Sequence, residues 1–275
     1  MSNDLERAPL GHATGYPDAY DPAQLFAVAR APQRAELGFD ATTLPFGGVD
    51  LWTAYELTWL DARGKPDIAI AAIDVPASSP SIVESKSMKL YLGSFAQSTF
   101  DDATAVTATI ERDLSAATGA PVRVALTRPI DFAREHLGEL DGESLDALPI
   151  DSTTYEVDPS TLSAHGAIVD EALTTSLFRS VCPVTGQPDM ASMQISYRGP
   201  RIDREGLLRY FVSYRRHPGF HEHCVERIFV DVTSRCHCER LTVYARFTRR
   251  GGIDINPFRT NAGIAPPRSI RTARQ

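Results

Sequence analysis

The chain nearly repeats itself, and the repeat limits its fold more than any single motif does. Pro66-Asp67 returns as Pro188-Asp189, Pro80-x-Ile82 as Pro200-x-Ile202, Tyr91-x-x-Ser94-Phe95 as Tyr210-x-x-Ser213-Tyr214, Phe100 as Phe220, and Thr127-Arg128 as Thr248-Arg249. The offset stays between 119 (Tyr91 to Tyr210) and 122 (Pro66 to Pro188). Five matches in register imply two copies of one supersecondary unit packed side by side. The other reading is a single domain in which the dipeptides coincide.

Each copy is predicted to run strand, strand, helix, strand. In the first, 51–60 is rich in β-formers, Asp61-Ala62-Arg63-Gly64 is a hairpin turn and 68–73 is the returning strand. Residues 87–92 read as a further strand. Ala103, Val106, Ile110, Leu114 and Ala117 then share one helical face, closed by Gly119 and Pro121, before a strand at 122–126. The second copy is read as strands at 190–197 and 207–214, a helix over about 218–235 and a strand at 241–247. The class is α+β. The expected organisation is an N-terminal arm over 1–47, which holds five prolines, a first unit over 48–134, an acid-rich linker over 135–160 and a second unit over 161–275.

A chain of 275 residues with 43% hydrophobic content has material for real cores. Its 35 acidic and 28 basic residues leave a net charge of −7, which argues against a grip on nucleic-acid backbones and for a small-molecule substrate. Met1-Ser2-Asn3-Asp4-Leu5-Glu6-Arg7 lacks a signal peptide's basic start and apolar run, and no segment is long and apolar enough to span a bilayer; a cytoplasmic location is expected. Four cysteines form no disulfide framework and are expected to be free thiols.

The copies differ at their polar positions. The first carries Glu84-Ser85-Lys86-Ser87-Met88-Lys89, where the second has Arg204 at the place of Glu84. The second carries Cys182, Asp189 and His221-Glu222-His223-Cys224. A site across their junction would draw on both. Cys182 sits among turn residues, Pro183, Thr185-Gly186 and Pro188-Asp189, which suits a reactive thiol as well as a half-buried structural one. His221 and Glu222 fall in the first turn of a predicted helix, whose dipole is expected to keep Glu222 ionised; plain dipole complementation is the other reading. Glu84 and Glu222 could accept from the N–H edge of a purine-like ring. Thr248-Arg249-Arg250-Gly251-Gly252 joins guanidiniums to flexible glycines, fit for a phosphate or for a solvated turn. No Gly-x-Gly-x-x-Gly fingerprint is present, so a nicotinamide cofactor would bind outside a Rossmann fold. The thiols and imidazoles of 221–238 invite a zinc reading, yet no Cys-x-x-Cys pair occurs and His221 and His223 point apart on a helix. No metal site is expected.

Four blocks resemble a known family. These are Glu84-Ser85-Lys86-Ser87-Met88-Lys89-Leu90-Tyr91-Leu92-Gly93-Ser94-Phe95, Cys182-Pro183-Val184-Thr185-Gly186-Gln187-Pro188-Asp189, Phe220-His221-Glu222-x-Cys224-Val225-x-Arg227-Ile228-Phe229, and the run from Tyr244-Ala245-Arg246 through Asn256-Pro257. They are similar to the long, two-module form of the NADPH-dependent nitrile reductases that convert 7-cyano-7-deazaguanine to 7-aminomethyl-7-deazaguanine in queuosine biosynthesis. The resemblance implies tandem tunnelling-fold modules, antiparallel sheets backed by helices, related to GTP cyclohydrolase I and assembled as a homodimer. It implies Cys182 as the nucleophile that forms a covalent thioimide, Asp189 as proton donor and His221 in positioning and proton transfer. Glu84, Glu222 and the backbone at Ile82 and Val83 would hold the deazapurine, and Ser85, Lys86, Arg250 and Gly251 would line the NADPH site. Two alternatives remain: a zinc-dependent pterin or purine hydrolase of the same fold, and a catalytically silent ligand-binding module.

Overall fold

A computed structural model describes residues 15–40, 43–267 and 270–275; the start of the arm, with the segment read for a targeting signal, lies outside them. In chain order the elements are β1 (Ala27–Ala29), α1 (Ala31–Glu36), β2 (Gly47–Leu60), β3 (Pro66–Pro76), β4 (Ser81–Val83), α2 (Ser85–Gly93), α3 (Ala103–Thr118), β5 (Arg123–Thr127), β6 (Glu143–Ser144), β7 (Ala164–Val181), β8 (Pro188–Ile202), α4 (Arg204–Ser213), α5 (His221–Cys236), β9 (Arg240–Phe247) and β10 (Ile253–Thr260). Eight strands form one sheet in the order β5-β3-β2-β10-β9-β8-β7-β6, antiparallel except for β6 on β7. The α+β class, antiparallel strands backed by helices, is as expected.

The predicted hairpin forms as β2 and β3, its turn held by the Asp61 carboxylate, which accepts from the N–H groups of Arg63 and Lys65 at 2.9 Å each. The predicted helix forms as α3: Asp102 caps it by accepting from Ala105 N–H at 2.8 Å, Val106, Ile110 and Leu114 are fully buried, and Gly119 ends it at φ +75°.

Two predicted strands are helices. Residues 87–92 lie in α2 and 207–214 in α4 and the turn after it. Their apolar residues look alternating over a short window. Over a longer one, Met88, Tyr91, Leu92 and Phe95, and Leu207, Leu208, Phe211 and Tyr214, follow the helical spacing, and all are buried. Glu84 and Asp203 are the N-caps. The true counterpart of Glu84 is therefore Asp203, not Arg204. Two long strands had no reading in advance, β10 and the greater part of β7.

Two apolar cores follow. One gathers α2, α3 and the first hairpin; the other gathers α4, α5 and β7 to β9. They are interleaved, since Ile253 and Ile255 of β10 pack in the first core while Phe46 and Ala77 pack in the second. β10 pairs with β2 over eight residues and so carries the sheet from one copy into the other. The arm is stitched in by β1, which pairs with β4.

Candidate active site

β7 and β8 stay paired to their ends, with Ser180 opposite Asp189 and Val181 opposite Pro188. Cys182 N–H donates to Gln187 O at 2.8 Å and Gly186 N–H to Cys182 O at 2.9 Å, closing the loop between them. Side chains alternate along a strand and paired residues share a face. Ser180, Cys182 and Asp189 therefore project together, 0%, 4% and 7% exposed. The strip leading into α5 braces this hairpin, since Val181 N–H donates to His217 O (3.0 Å) and Gly219 N–H to Val181 O (3.1 Å).

Phe220 occupies the N-cap of α5 and offers no capping side chain, whereas α2, α3 and α4 are each capped by a carboxylate. The first residue, His221, stacks flat on Phe247, centroids 3.7 Å apart at 3°. Its Nε2 lies 3.4 Å from Asp189 Oδ2, and its buried Nδ1 has no hydrogen-bond partner in the described structure. The Arg250 guanidinium donates to the other Asp189 oxygen at 3.0 Å. Asp189 thus sits between an imidazole and a guanidinium beside the thiol.

Glu222 follows, 3% exposed. Burial, reinforced by the nearby Asp50 carboxylate, pushes its pKa up to about 7, while Arg30 and His221 pull it back. The expectation that the helix dipole keeps Glu222 ionised is corrected: loss of solvent outweighs a helix terminus.

Glu84 is fully buried, and its carboxylate accepts from the N–H groups of Lys86 (2.6 Å) and Ser87 (2.9 Å) and from Ser85 Oγ (3.3 Å). It caps α2, and its neighbours Val83 and Ser85 line the cavity at Cys182. Glu84 N–H donates to Phe26 O and Arg30 N–H to Pro80 O, both at 2.9 Å. That phase turns the backbone groups of Ile82 toward the arm and those of Val83 away from it.

Cys182, Asp189, His221, Glu222, Val83 and Phe220 surround a narrow cavity of ≈ 20 Å³, room for about one water. Its walls must part to admit a bicyclic ring. Ser85, His221 and Arg250 also line an adjoining cavity of ≈ 230 Å³ walled by Lys86, Lys89 and Gly251. Of the expected site residues, Ile82 and Glu84 line neither cavity; they stand directly behind Val83 and Ser85. Gly251 and Gly252 form the two-residue turn between β9 and β10 at φ +64° and +79°, the positive φ that a primed hairpin turn needs. A Cβ on Gly251 would come 2.8 Å from Lys89 Nζ. Gly251→Ala is expected to strain the turn and displace Lys89, raising the KM for a phosphate-bearing cofactor roughly tenfold, about one charge-assisted contact. Steady-state kinetics against cofactor concentration checks this. A larger cavity of ≈ 630 Å³ lies on the opposite face of β2 and β3 and holds none of the expected site residues.

Among the described residues no group of three or more His, Cys, Asp or Glu is disposed to hold a metal ion. The 221–238 cluster is mainly core. Cys224, Cys236 and Cys238 are buried, and burial pushes their thiols up to about 12, 11 and 12. His237 ends α5 in the left-handed region at φ 52°, and the Cα of Cys238 lies against Gly199, where a Cβ would meet it at 3.0 Å.

Sequence reasoning missed Phe247 and the buried charges behind Glu222. Phe247 carries little signal, being one more apolar residue in a strand. Arg259 was readable, because a cation inside the apolar run of β10 calls for a buried partner.

Fold and site together define the class: an α+β protein with two apolar cores and a buried cysteine at a cavity lined from both halves of the chain. The family model described as the N-terminal part of the nitrile reductase 7-cyano-7-deazaguanine reductase matches residues 16–126, and a second, described as QueF-like protein, matches 188–265. Proteins named NADPH-dependent 7-cyano-7-deazaguanine reductase from Burkholderia cenocepacia and Burkholderia vietnamiensis are each 58% identical, over 98% of this chain and 99% of theirs. The chain belongs to the 7-cyano-7-deazaguanine reductase family. A crystal structure titled as the archaeosine synthase QueF-Like aligns with 36% of the chain at 17% identity and TM-score 0.32, too slight a likeness to bear on the site. The relatives lend no support to the zinc-hydrolase alternative.

Proposed function

We propose that this protein reduces the nitrile of 7-cyano-7-deazaguanine to the primary amine with NADPH, a step of queuosine biosynthesis. The observation that carries the reading is the meeting of Cys182, Asp189, His221 and Glu222 at one cavity that shares Ser85, His221 and Arg250 with an adjoining cationic one.

The Cys182 thiol gives its proton to the Asp189 carboxylate as its sulfur adds to the electrophilic nitrile carbon: the S–H bond breaks, the Sγ–C bond forms, one C–N π bond opens, and the nitrogen takes that proton from Asp189. His221, fixed on Phe247 and within reach of Asp189, positions that acid and serves its proton transfer. Bound NADPH supplies hydride. When the carbon has been reduced once, the Sγ–C bond breaks, Cys182 recovers its proton and an imine remains; a second reduction gives the amine. Nitrile to amine is a four-electron change, hence two NADPH. The low exposure of Cys182, Asp189 and Glu222 keeps water from thioimide and imine, both of which hydrolyse.

Glu222 and the outward backbone groups of Val83 take the deazapurine edge, with Glu84 and Ile82 fixing the strand and helix end that present them. Ser85, Lys86, Arg250 and Gly251 hold NADPH, and the fit is chemical: lysine and arginine with a glycine turn in one cavity suit phosphate groups. The protein acts as a cytoplasmic homodimer whose partners are small molecules, a reading its net charge of −7 favours over nucleic acid. No helix among the described residues is long and apolar enough to cross a membrane. Two units are supported by the two cores, but not with clean bounds: Ala77 and Leu145, the latter from the segment read as a linker, pack in the second core and Ile253 and Ile255 in the first. Incubation with the nitrile and NADPH, followed by absorbance and product mass, should give two NADPH consumed per amine; nitrile left intact while NADPH is present would overturn the proposal.

A further inference from the structure

Behind the cavity lies a buried ion cluster that the mechanism does not use. Arg30 and Arg34 come from the arm, Asp50 from β2, Glu226 from α5 and Arg259 from β10, each no more than 4% exposed. Asp50 is paired with Arg30 (2.5 Å) and Arg259 (2.8 Å). Glu226 is paired with Arg34 (2.8 Å) and Arg259 (2.9 Å) and lies 3.7 Å from Arg30. Three guanidiniums face two carboxylates, which leaves one positive charge in a dry interior. Glu222 stands one helical turn before Glu226, so its anion would balance the cluster.

We infer that Arg30 is a positioning residue for Glu222: the N-terminal arm delivers into the core the charge that lets Glu222 accept from the substrate as a carboxylate. The inference rests on Glu222 holding the deazapurine edge. Isolated burial of an anion is costly: burial raises the Glu222 pKa most, the Asp50 carboxylate adds to the rise, and the Arg30 guanidinium opposes it. The other charged or titratable groups around Glu222 are His221, Cys224 and Glu226 on α5 and, across the cavity, Cys182, Asp189 and Arg250. Cys182 is replaced in every protein compared below, and none of the others changes.

Arg30 is held at a defined place by the first unit. Its Nε and Nη2 donate to Ser79 Oγ at 3.2 and 3.1 Å, and its backbone N–H to Pro80 O. The same segment, through β1, clamps β4 and so orients Val83. One element therefore sets both the backbone and the carboxylate that face the ligand.

The test is equilibrium binding of 7-cyano-7-deazaguanine across pH to the full chain carrying Cys182→Ala, which removes covalent capture. Binding should tighten as pH rises through a midpoint near neutrality, because only the ionised carboxylate accepts through both oxygens, whereas the protonated group turns an O–H toward the donor edge of the ring. Adding Arg30→Met should move that midpoint to alkaline pH by about one unit, and Asp50→Asn should move it to acid pH. Arg30→Lys should keep it in place, and Glu222→Gln should abolish it. A merely structural role for Arg30 would weaken binding at every pH without opposite shifts; such a result, or midpoints that stay put, overturns the inference. If Arg30→Met does not fold, the acid shift of Asp50→Asn and the unmoved midpoint of Arg30→Lys decide it. Failure of the Cys182→Ala parent to bind the nitrile would instead sink the reading of the site itself.

Discussion

Replacing Cys182 by Ala should abolish turnover, by on the order of 10³-fold or more, while the deazapurine still binds. The thiol is the strongest nucleophile among the groups lining the cavity, and the carboxylates and Val83 that would hold the ring are untouched by its loss. Cys182 is 4% exposed and fixed through its backbone N–H and C=O, so truncation leaves the hairpin in place. Mass spectrometry adds a second readout. With NADPH withheld, the unmodified protein should gain the mass of one nitrile at Cys182, and the Ala variant should gain nothing. An adduct on another cysteine would contradict the assignment, and it would be surprising: Cys224, Cys236 and Cys238 are pushed up to between about 11 and 12 by burial and are poor nucleophiles at neutral pH.

The largest loss of stability is expected from Glu226→Ala. Glu226 accepts from Arg34 through both carboxylate oxygens and from Arg259 Nε and Nη2. Without it three buried guanidiniums retain only Asp50 among the cluster's acids. Removing one partner of a buried ion pair costs about 3–5 kcal/mol, because the remaining charge has neither water nor a counter-ion. Denaturant unfolding should show a loss of that size. The exposed pair Arg198–Glu239, at 44% and 54% exposure, is the control: breaking it should cost about 1 kcal/mol or less. Equal losses for the two would refute the view that this cluster ties arm, sheet and α5 together.

The repeat, the first hairpin, α3 and α5 could be read directly because each rests on local rules: turn chemistry, capping and one-faced periodicity. The helices α2 and α4 could not be read from windows of six to eight residues, in which alternation and helical spacing look alike. Their caps, Glu84 and Asp203, supply the missing signal, since each carboxylate accepts a backbone N–H of the first turn. The candidate site was legible by residue type. Cys182, Asp189, His221 and Glu222 meet at one cavity, yet Glu84 proves to stand one layer behind it, because a carboxylate at that helix start is drawn to the backbone N–H groups beside it.

The sequence by itself determined which chemistry is possible: a thiol in a turn, an acid seven residues on, an imidazole and carboxylate at a helix start, and cations around two glycines. Only the tertiary structure decided which of these groups meet and in what state. β10 crosses to β2 and brings Arg250 and Gly251 beside Ser85 and Lys86. The charge on Glu222 depends on burial and on Asp50 and Arg30, residues 172 and 192 positions away in the chain. Desolvation and long-range charge act through space, and no local pattern records them.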